Sequence, residues 1–558
     1  MRRLLFVTFA LFFLLGTAGA ASAQGHIIIF NNNAPNVGFN DPAPAAPVGG
    51  NTGTTRGQQR LNVFNRAAAI WEAKLLPKTD IHVLSDFAAL GPNVLGSAGT
   101  LFVFANFPGA ELLNTWYPSA LANQLAGVDL QPCPPGPLTF ACFDIQARFS
   151  SQFDFYLGFD NNDGPGQADL LAVVLHELGH GLGFANFVNE TTGTLLQNLP
   201  DVYSEYTLDV QTNKIWNDMT NAERQASAIN VRKVSWSGIT VNKDVPAVLA
   251  PGEPSLVVLS PAALGAFPIG TASFGAPLNA AGVSGDVVVG LDAADLAGPS
   301  TTDGCSPLTN AGAVVGKIAL LDRGTCGFVV KVKNAQDAGA KAVLIADNVQ
   351  SSPPAGLGGT DPAITITSAR VALSDGNAIK AALTSVGSVT VKLSLDMSIL
   401  AGTDRVKHLM MLAAFNPVIG GSSISHFEGV AFPNQLMEPA INPDLTSSVE
   451  PPQDLTLSLL TDIGWFSDND GVPDGVDACL RSDIRPTVVI GDCNSGVANR
   501  MFTDGCSMSD VLARCAVGAR NHGDYVSCVA QTTNEFKNIG AIDGSGKGAI
   551  QSCAAKKK

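Results

Sequence analysis

Basic charge, histidine and long apolar runs are all scarce in this chain of 558 residues. Lysine and arginine number 33 against 48 aspartates and glutamates, a formal net charge of −15. A surface of that sign repels nucleic acid and anionic lipid, so neither is expected as a partner. Beyond the first two dozen residues no stretch offers the roughly 20 apolar residues of a membrane-crossing helix, and no membrane span is expected. No repeat long enough to build a solenoid recurs. Residues 24–55 carry no cysteine, which excludes a thiol-based latch in that segment. Histidine occurs 7 times and tyrosine 5 times, so few side chains can serve as imidazole ligands or phenolic donors.

What is present begins with Met1-Arg2-Arg3, an apolar run and then Ala21-Ser22-Ala23. Charged, apolar and small-residue parts in that order predict a signal peptide over 1–23 and a secreted protein. The 10 cysteines fit export, because an even number in an exported chain points to disulfides. Their spacing falls into Cys133 with Cys142, Cys305 with Cys326, and six crowded from Cys479 onward. The length exceeds one ordinary domain. Apolar residues at helical spacing (Leu61, Phe64, Ala67, Ala68, Trp71, Leu75) predict a helix over 59–75. Strands are expected at 81–84, 101–104 and 153–156, and a second helix over 169–181 with Asp169 at its start. Valine, alanine and glycine dominate from about 241 to 395 in short strand-like pieces separated by helical ones, which reads as a small inserted α/β domain. The expected division is 24–240 and 396–466 as two parts of one domain, 241–395 as the insertion, an acidic loop over 467–480 and a cysteine-rich tail over 481–558.

The chemistry concentrates in His176-Glu177-Leu178-Gly179-His180. Two histidines four apart on a helix share a face one turn apart, so both imidazoles reach one zinc ion. Glu177, beside the first, is placed to act as general base toward the water on that metal. A catalytic zinc takes a third protein ligand and keeps one position open. Six residues after His180 stands Asn186, a poor substitute for imidazole, so the third ligand comes from farther away. His426 in Ser425-His426-Phe427-Glu428 is the favoured candidate, with Leu436-Met437-Glu438-Pro439 following. Glu205 is the rival. His408, in an apolar run, is expected to pack. Tyr203 and Tyr206 are candidate donors to the oxyanion.

The stretch from His176 to Phe184 resembles the zinc motif of the metzincins. The delayed His426 and the Met437 turn resemble the leishmanolysin branch, in which an insertion precedes the third histidine. The resemblance implies a zincin-like fold, His176, His180 and His426 as zinc ligands, Glu177 as base and Met437 in the Met-turn, over roughly 55–240 and 396–466. Gly316 to Phe328, followed by Lys331 and Asn334 to Ala340, is similar to the protease-associated (PA) domain, which implies a bridge between Cys305 and Cys326. The run Asp468-Asn469-Asp470-Gly471-Val472-Pro473-Asp474-Gly475-Val476-Asp477 resembles a thrombospondin type 3 repeat. Asp468, Asp470, Asp474 and Asp477 would then bind calcium, which needs several oxygen ligands in a turn-rich loop; a solvated acidic linker is the plainer alternative. Asp160 to Gly164 is a second, weaker calcium candidate.

The expected fold is therefore α/β (α+β): a zincin-like catalytic domain split by a PA-like α/β insertion, with a small disulfide-rich helical region at the C-terminus. The expected function is secreted, zinc-dependent endopeptidase activity on proteins or peptides. The alternative is a catalytically inactive secreted binding or adhesion protein that uses the PA domain and the tail.

Overall fold

The computed structural model describes residues 24–556, apart from 165, 443, 468–471, 473–476, 480–481 and 518. The first part of the chain forms a four-stranded sheet from β1 (Ile27–Asn31), β2 (Ile81–Ala88), β3 (Gly96–Thr100) and β4 (Ile145–Ser150), in the order β1-β2-β4-β3. β1, β2 and β4 run parallel, while β3 joins β4 antiparallel and forms an edge. The expected strand at 153–156 shrinks to Phe155–Tyr156, paired with Ala168–Asp169.

Two helices build the core against this sheet. α1 (Arg56–Leu75) starts three residues before the expected 59 because Thr55 caps it, its side chain accepting from the Gln58 amide. Phe64, Ala67, Ala68, Trp71 and Leu75 are all buried. α2 (Leu170–Leu182) is buried at every residue, as a helix apolar on all sides must be. The Asp169 carboxylate accepts from the Leu171 and Ala172 amides at its start. Gly183, at φ 129°, ends it in a conformation that side chains resist. Trp71 ties the helices together, its indole N–H donating to the Leu175 carbonyl at 3.2 Å.

One apolar core draws residues both from Ile27 through Leu249 and from Met410 through Trp465. Between them lies an eight-stranded sheet whose strands include β5 (Pro251–Ser260), β6 (Val283–Val289), β7 (Ile318–Asp322), β8 (Ala342–Ala346), β9 (Thr367–Val371) and β10 (Thr390–Leu400). β6 to β9 are parallel neighbours. Ile318 and Leu320 join a core on one face with Ile379 of helix α4 (Leu373–Val386), and Ala319 and Leu321 join a core on the other with Val332 of helix α3 (Phe328–Asp337). Coverage on both faces accounts for the unbroken apolar strands. β5 and β10 pair antiparallel with Pro251 opposite Leu400, so the chain leaves the host domain and returns to it side by side. The helix Ile239–Val248, which the shift in composition put on the inserted side, sends Val241, Val245 and Val248 into the host core.

The C-terminal segment has its own small core, built on a two-stranded sheet and the helices Met508–Val517, His522–Asn538 and Gly544–Lys556. The bridges Cys479–Cys506, Cys493–Cys553 and Cys515–Cys528 staple it, as a core this small requires. Cys133–Cys142 and Cys305–Cys326 complete the set, leaving no free cysteine. The protein is thus an α/β catalytic region with an inserted α/β domain and a disulfide-rich helical segment at its C-terminus.

A buried carboxylate joins the two host segments. Asp462 ends helix α5 (Thr456–Asp462) and is fully buried. It accepts from the Trp236 indole N–H at 2.8 Å and from the Thr240 and Val241 amides at 2.8 and 3.2 Å. Those amides open the helix Ile239–Val248, so Asp462 caps it from across the insertion. Asp462→Ala strands three buried donors and is expected to cost about 3 kcal/mol in urea unfolding; a loss below about 1 kcal/mol would show that this tie is dispensable.

Candidate metal centre

α2 sets His176 and His180 one turn apart, and His426 arrives from the returning segment, where Ala413 donates its amide to the His426 carbonyl at 2.9 Å. The three Nε2 atoms lie 3.1, 3.2 and 3.3 Å from one another. Each Nδ1 faces a backbone carbonyl: Leu436 at 2.7 Å for His176, Phe184 at 2.8 Å for His180 and Ser422 at 3.0 Å for His426. A carbonyl only accepts, so each Nδ1 carries the proton and each Nε2 presents a lone pair. Burial, the largest influence on each ring, pushes His176 down to about 4, His180 to about 3 and His426 well below the usual value. All three are neutral at pH 7. Three buried lone pairs therefore point at one another with no proton among them, a donor set that suits a cation. Tetrahedral zinc with nitrogens at about 2.0–2.1 Å needs them roughly 3.3 Å apart, so these residues fit it. Among the described residues no other group of three His, Cys, Asp or Glu side chains is gathered this closely.

The surrounding chain holds these rings. Leu436, whose carbonyl orients His176, donates its own amide to Asp454 at 2.6 Å. Met437 is fully buried beneath the metal helix. A Cβ at Gly179, between the two helical histidines, would stand 2.8 Å from its sulfur, so glycine there makes room for the methionine. Tyr203 donates its hydroxyl to the Ile424 carbonyl at 2.9 Å, and the Asn186 amide donates to the Ser425 hydroxyl at 3.1 Å, both securing the loop that carries His426.

Glu177 faces a cleft of about 620 Å³ that the three histidines also line. Residues 93–98, ending in edge strand β3, line it together with Gly420 to Ser422, Ser425 and Glu438 to Ile441. Burial pushes the Glu177 carboxyl up to about 8, and a hydrogen bond from the Ala98 amide opposes that shift. A cation on the three nitrogens would pull it down further. A Cβ at Gly96 would lie 2.6 Å from the Glu177 carboxylate, so the strand passes directly against the base.

Several expectations need correction. Glu205 is not with the histidines; its carboxylate accepts from Asn217 at 2.7 Å. His408 does not pack: it sits exposed in a turn at φ 60°. Tyr203 and Tyr206 do not line the cleft, the first spent on Ile424 and the second stacked on Trp236. Asp160 receives the Tyr156 hydroxyl and forms no metal-like group with Asp163. Asp468, Asp470 and Asp474 lie outside the described residues; Asp477 accepts from the Cys479 amide at 2.6 Å. Sequence reasoning missed β3 and the part played by Asn186. Gly-Ser-Ala-Gly-Thr has one β-branched residue and no apolar alternation, so only its place on the sheet edge reveals it.

Comparison with known proteins supports parts of this picture. The PA domain family matches residues 283–379, within the inserted sheet, and a family described as SPBPB7E8-like matches 108–229, the stretch that holds His176, Glu177 and His180. Human ER degradation-enhancing alpha-mannosidase-like protein 3 is 46% identical over 57 residues, 10% of this chain and 6% of that protein. Vacuolar-sorting receptor 1 of Pisum sativum is 32% identical over 148 residues, 24% of this chain and 22% of that one. The chain thus spans less than a quarter of either relative. Among solved structures, an aminopeptidase from Aneurinibacillus sp. strain AM-1 is 26% identical over 26% of this chain and 31% of its own, with a TM-score of 0.21. A zinc aminopeptidase from Bacillus subtilis is 24% identical over 28% and 35%, with a TM-score of 0.20. Overlaps this slight carry no argument about the metal centre, which stands on its own geometry.

Zinc titration of metal-stripped protein, followed by calorimetry, is expected to show one tight equivalent. His426→Ala should weaken it by more than the roughly 10–100-fold that loss of an outer partner costs, while His408→Ala should leave it unchanged. Tight binding retained in His426→Ala would remove that ring from the site.

Proposed function

We propose that this chain is a secreted zinc-dependent endopeptidase. The observation that carries the reading is the meeting of three neutral imidazoles with the Glu177 carboxylate in a cleft bordered by an open sheet edge. His176, His180 and His426 would hold the zinc, which would supply Lewis acidity toward a water and a peptide carbonyl. Glu177 takes the proton from the attacking water and delivers it to the leaving amine. Apart from the Ala98 amide, which serves Glu177, β3 offers the outward backbone groups of an edge strand, against which an extended peptide pairs in register. Residues 93–98 and the three histidines line the same cleft, which puts the edge strand beside the metal ligands.

The charge of the lining favours internal bonds over chain ends. Among the described residues no lysine or arginine lines the cleft to hold a terminal carboxylate. Its acidic side chains are Glu177 and Glu438, and Glu438 is committed to the Gln435 amide and the Asn442 side chain. Burial holds Glu438 well above the usual carboxylate range, which suits it poorly to anchor a terminal amine.

Glu177→Gln is expected to keep zinc and lose casein cleavage by about 10²–10⁴-fold, the range of general-base catalysis. Gly96→Ala should act in the same direction by displacing the carboxylate. Full cleavage in Glu177→Gln would remove the base from the mechanism; a zinc-loaded wild type that cleaves nothing would point to the binding-protein alternative.

A further inference from the structure

In the cleft that β3 borders, the Ser425 hydroxyl has one orientation open to it. The Asn186 amide group is unambiguous, because its Oδ1 accepts from the Val188 amide at 2.9 Å, so Nδ2 is the donor. Nδ2 sends one proton to Glu190 at 3.1 Å and the other to Ser425 Oγ at 2.9 Å. The Asn186 backbone N–H, which can only donate, reaches the same Oγ at 3.1 Å. A serine hydroxyl has two lone pairs and one proton. Both lone pairs are occupied by Asn186, and among the described residues the proton has no acceptor. Ser425 is half-buried, lines the cleft and adjoins His426.

An extended peptide on an edge strand uses alternate backbone groups to pair with the strand and turns the rest outward. The cleft that β3 borders is lined as well by Gly420, Gly421 and Ser422, whose carbonyl already serves His426, and by Ser425. Among the described residues the Ser422 hydroxyl has no hydrogen bond to set its direction, whereas that of Ser425 is set in advance. A donor fixed before binding loses little freedom when it is used.

We propose that Ser425 is a substrate-binding residue whose hydroxyl donates to a backbone carbonyl of the bound peptide. This rests on the peptidase reading above. Asn186, standing where a compact zinc motif has its third histidine, is then the positioning residue that aims it.

The test is steady-state cleavage of a casein-derived peptide by wild type, Ser425→Ala and Ser425→Thr, with zinc content and melting temperature measured on each. Ser425→Ala is expected to raise KM about 5-fold, the worth of one ordinary hydrogen bond, with kcat within about twofold and one zinc still bound; because it also strands the two Asn186 donors, its melting temperature should fall. Ser425→Thr, which keeps the hydroxyl, should restore KM. The same peptide should bind Glu177→Gln about 5-fold more tightly than it binds the double variant with Ser425→Ala, a readout that needs no turnover. An unchanged KM, or a loss that follows the zinc content, overturns the substrate contact. A wild type that cleaves no peptide fails the peptidase reading itself and takes this contact with it.

Discussion

Three imidazole nitrogens with their lone pairs turned toward one point are the constraint on which the rest of the structure turns. Each ring is buried, each Nδ1 is committed to a carbonyl, and the Nε2 atoms stand 3.1–3.3 Å apart. Lone pairs this close repel and are cut off from water, so without a cation the arrangement is costly. His176 and His426 are 250 residues apart in sequence. A domain that builds such a site must return the chain accurately across whatever lies between.

Two features make that return possible. β5 and β10 bring the two junctions together, so the inserted sheet stands on a narrow base and the host core closes beneath it. Asp462 then bonds Trp236, Thr240 and Val241, fastening the last host helix to the residues just before the insertion. The insertion also touches the site's surroundings. Ser352 and Asn416 exchange both backbone hydrogen bonds, at 3.0 and 2.8 Å, a few residues before the Gly420–Ser422 wall. The inserted domain therefore braces the segment that supplies the third imidazole.

Much of this was legible in local chemistry. The His-Glu-x-x-His spacing, the Asp169 cap and the exit at Gly183 are short-range rules, and they put two histidines and Glu177 on one buried helix. The alternation of fully apolar strands with helical pieces likewise announced the inserted α/β domain. Long-range facts were harder to see. Nothing in the sequence says that Gly96 lies against Glu177 or that Gly179 admits Met437, because both glycines are required by neighbours distant in sequence. Tyr203 looked like a free phenol and proved to be a brace, since its acceptor, the Ile424 carbonyl, comes from beyond the insertion. His408 sat in an apolar run but occupies a left-handed turn on the surface, a case of backbone geometry overriding composition.

The most direct measurement of the central claim is zinc K-edge X-ray absorption on the purified protein. Three imidazole nitrogens at about 2.0–2.1 Å with one further oxygen donor are the predicted result. A shell containing sulfur, or one with fewer than three imidazoles, would contradict it.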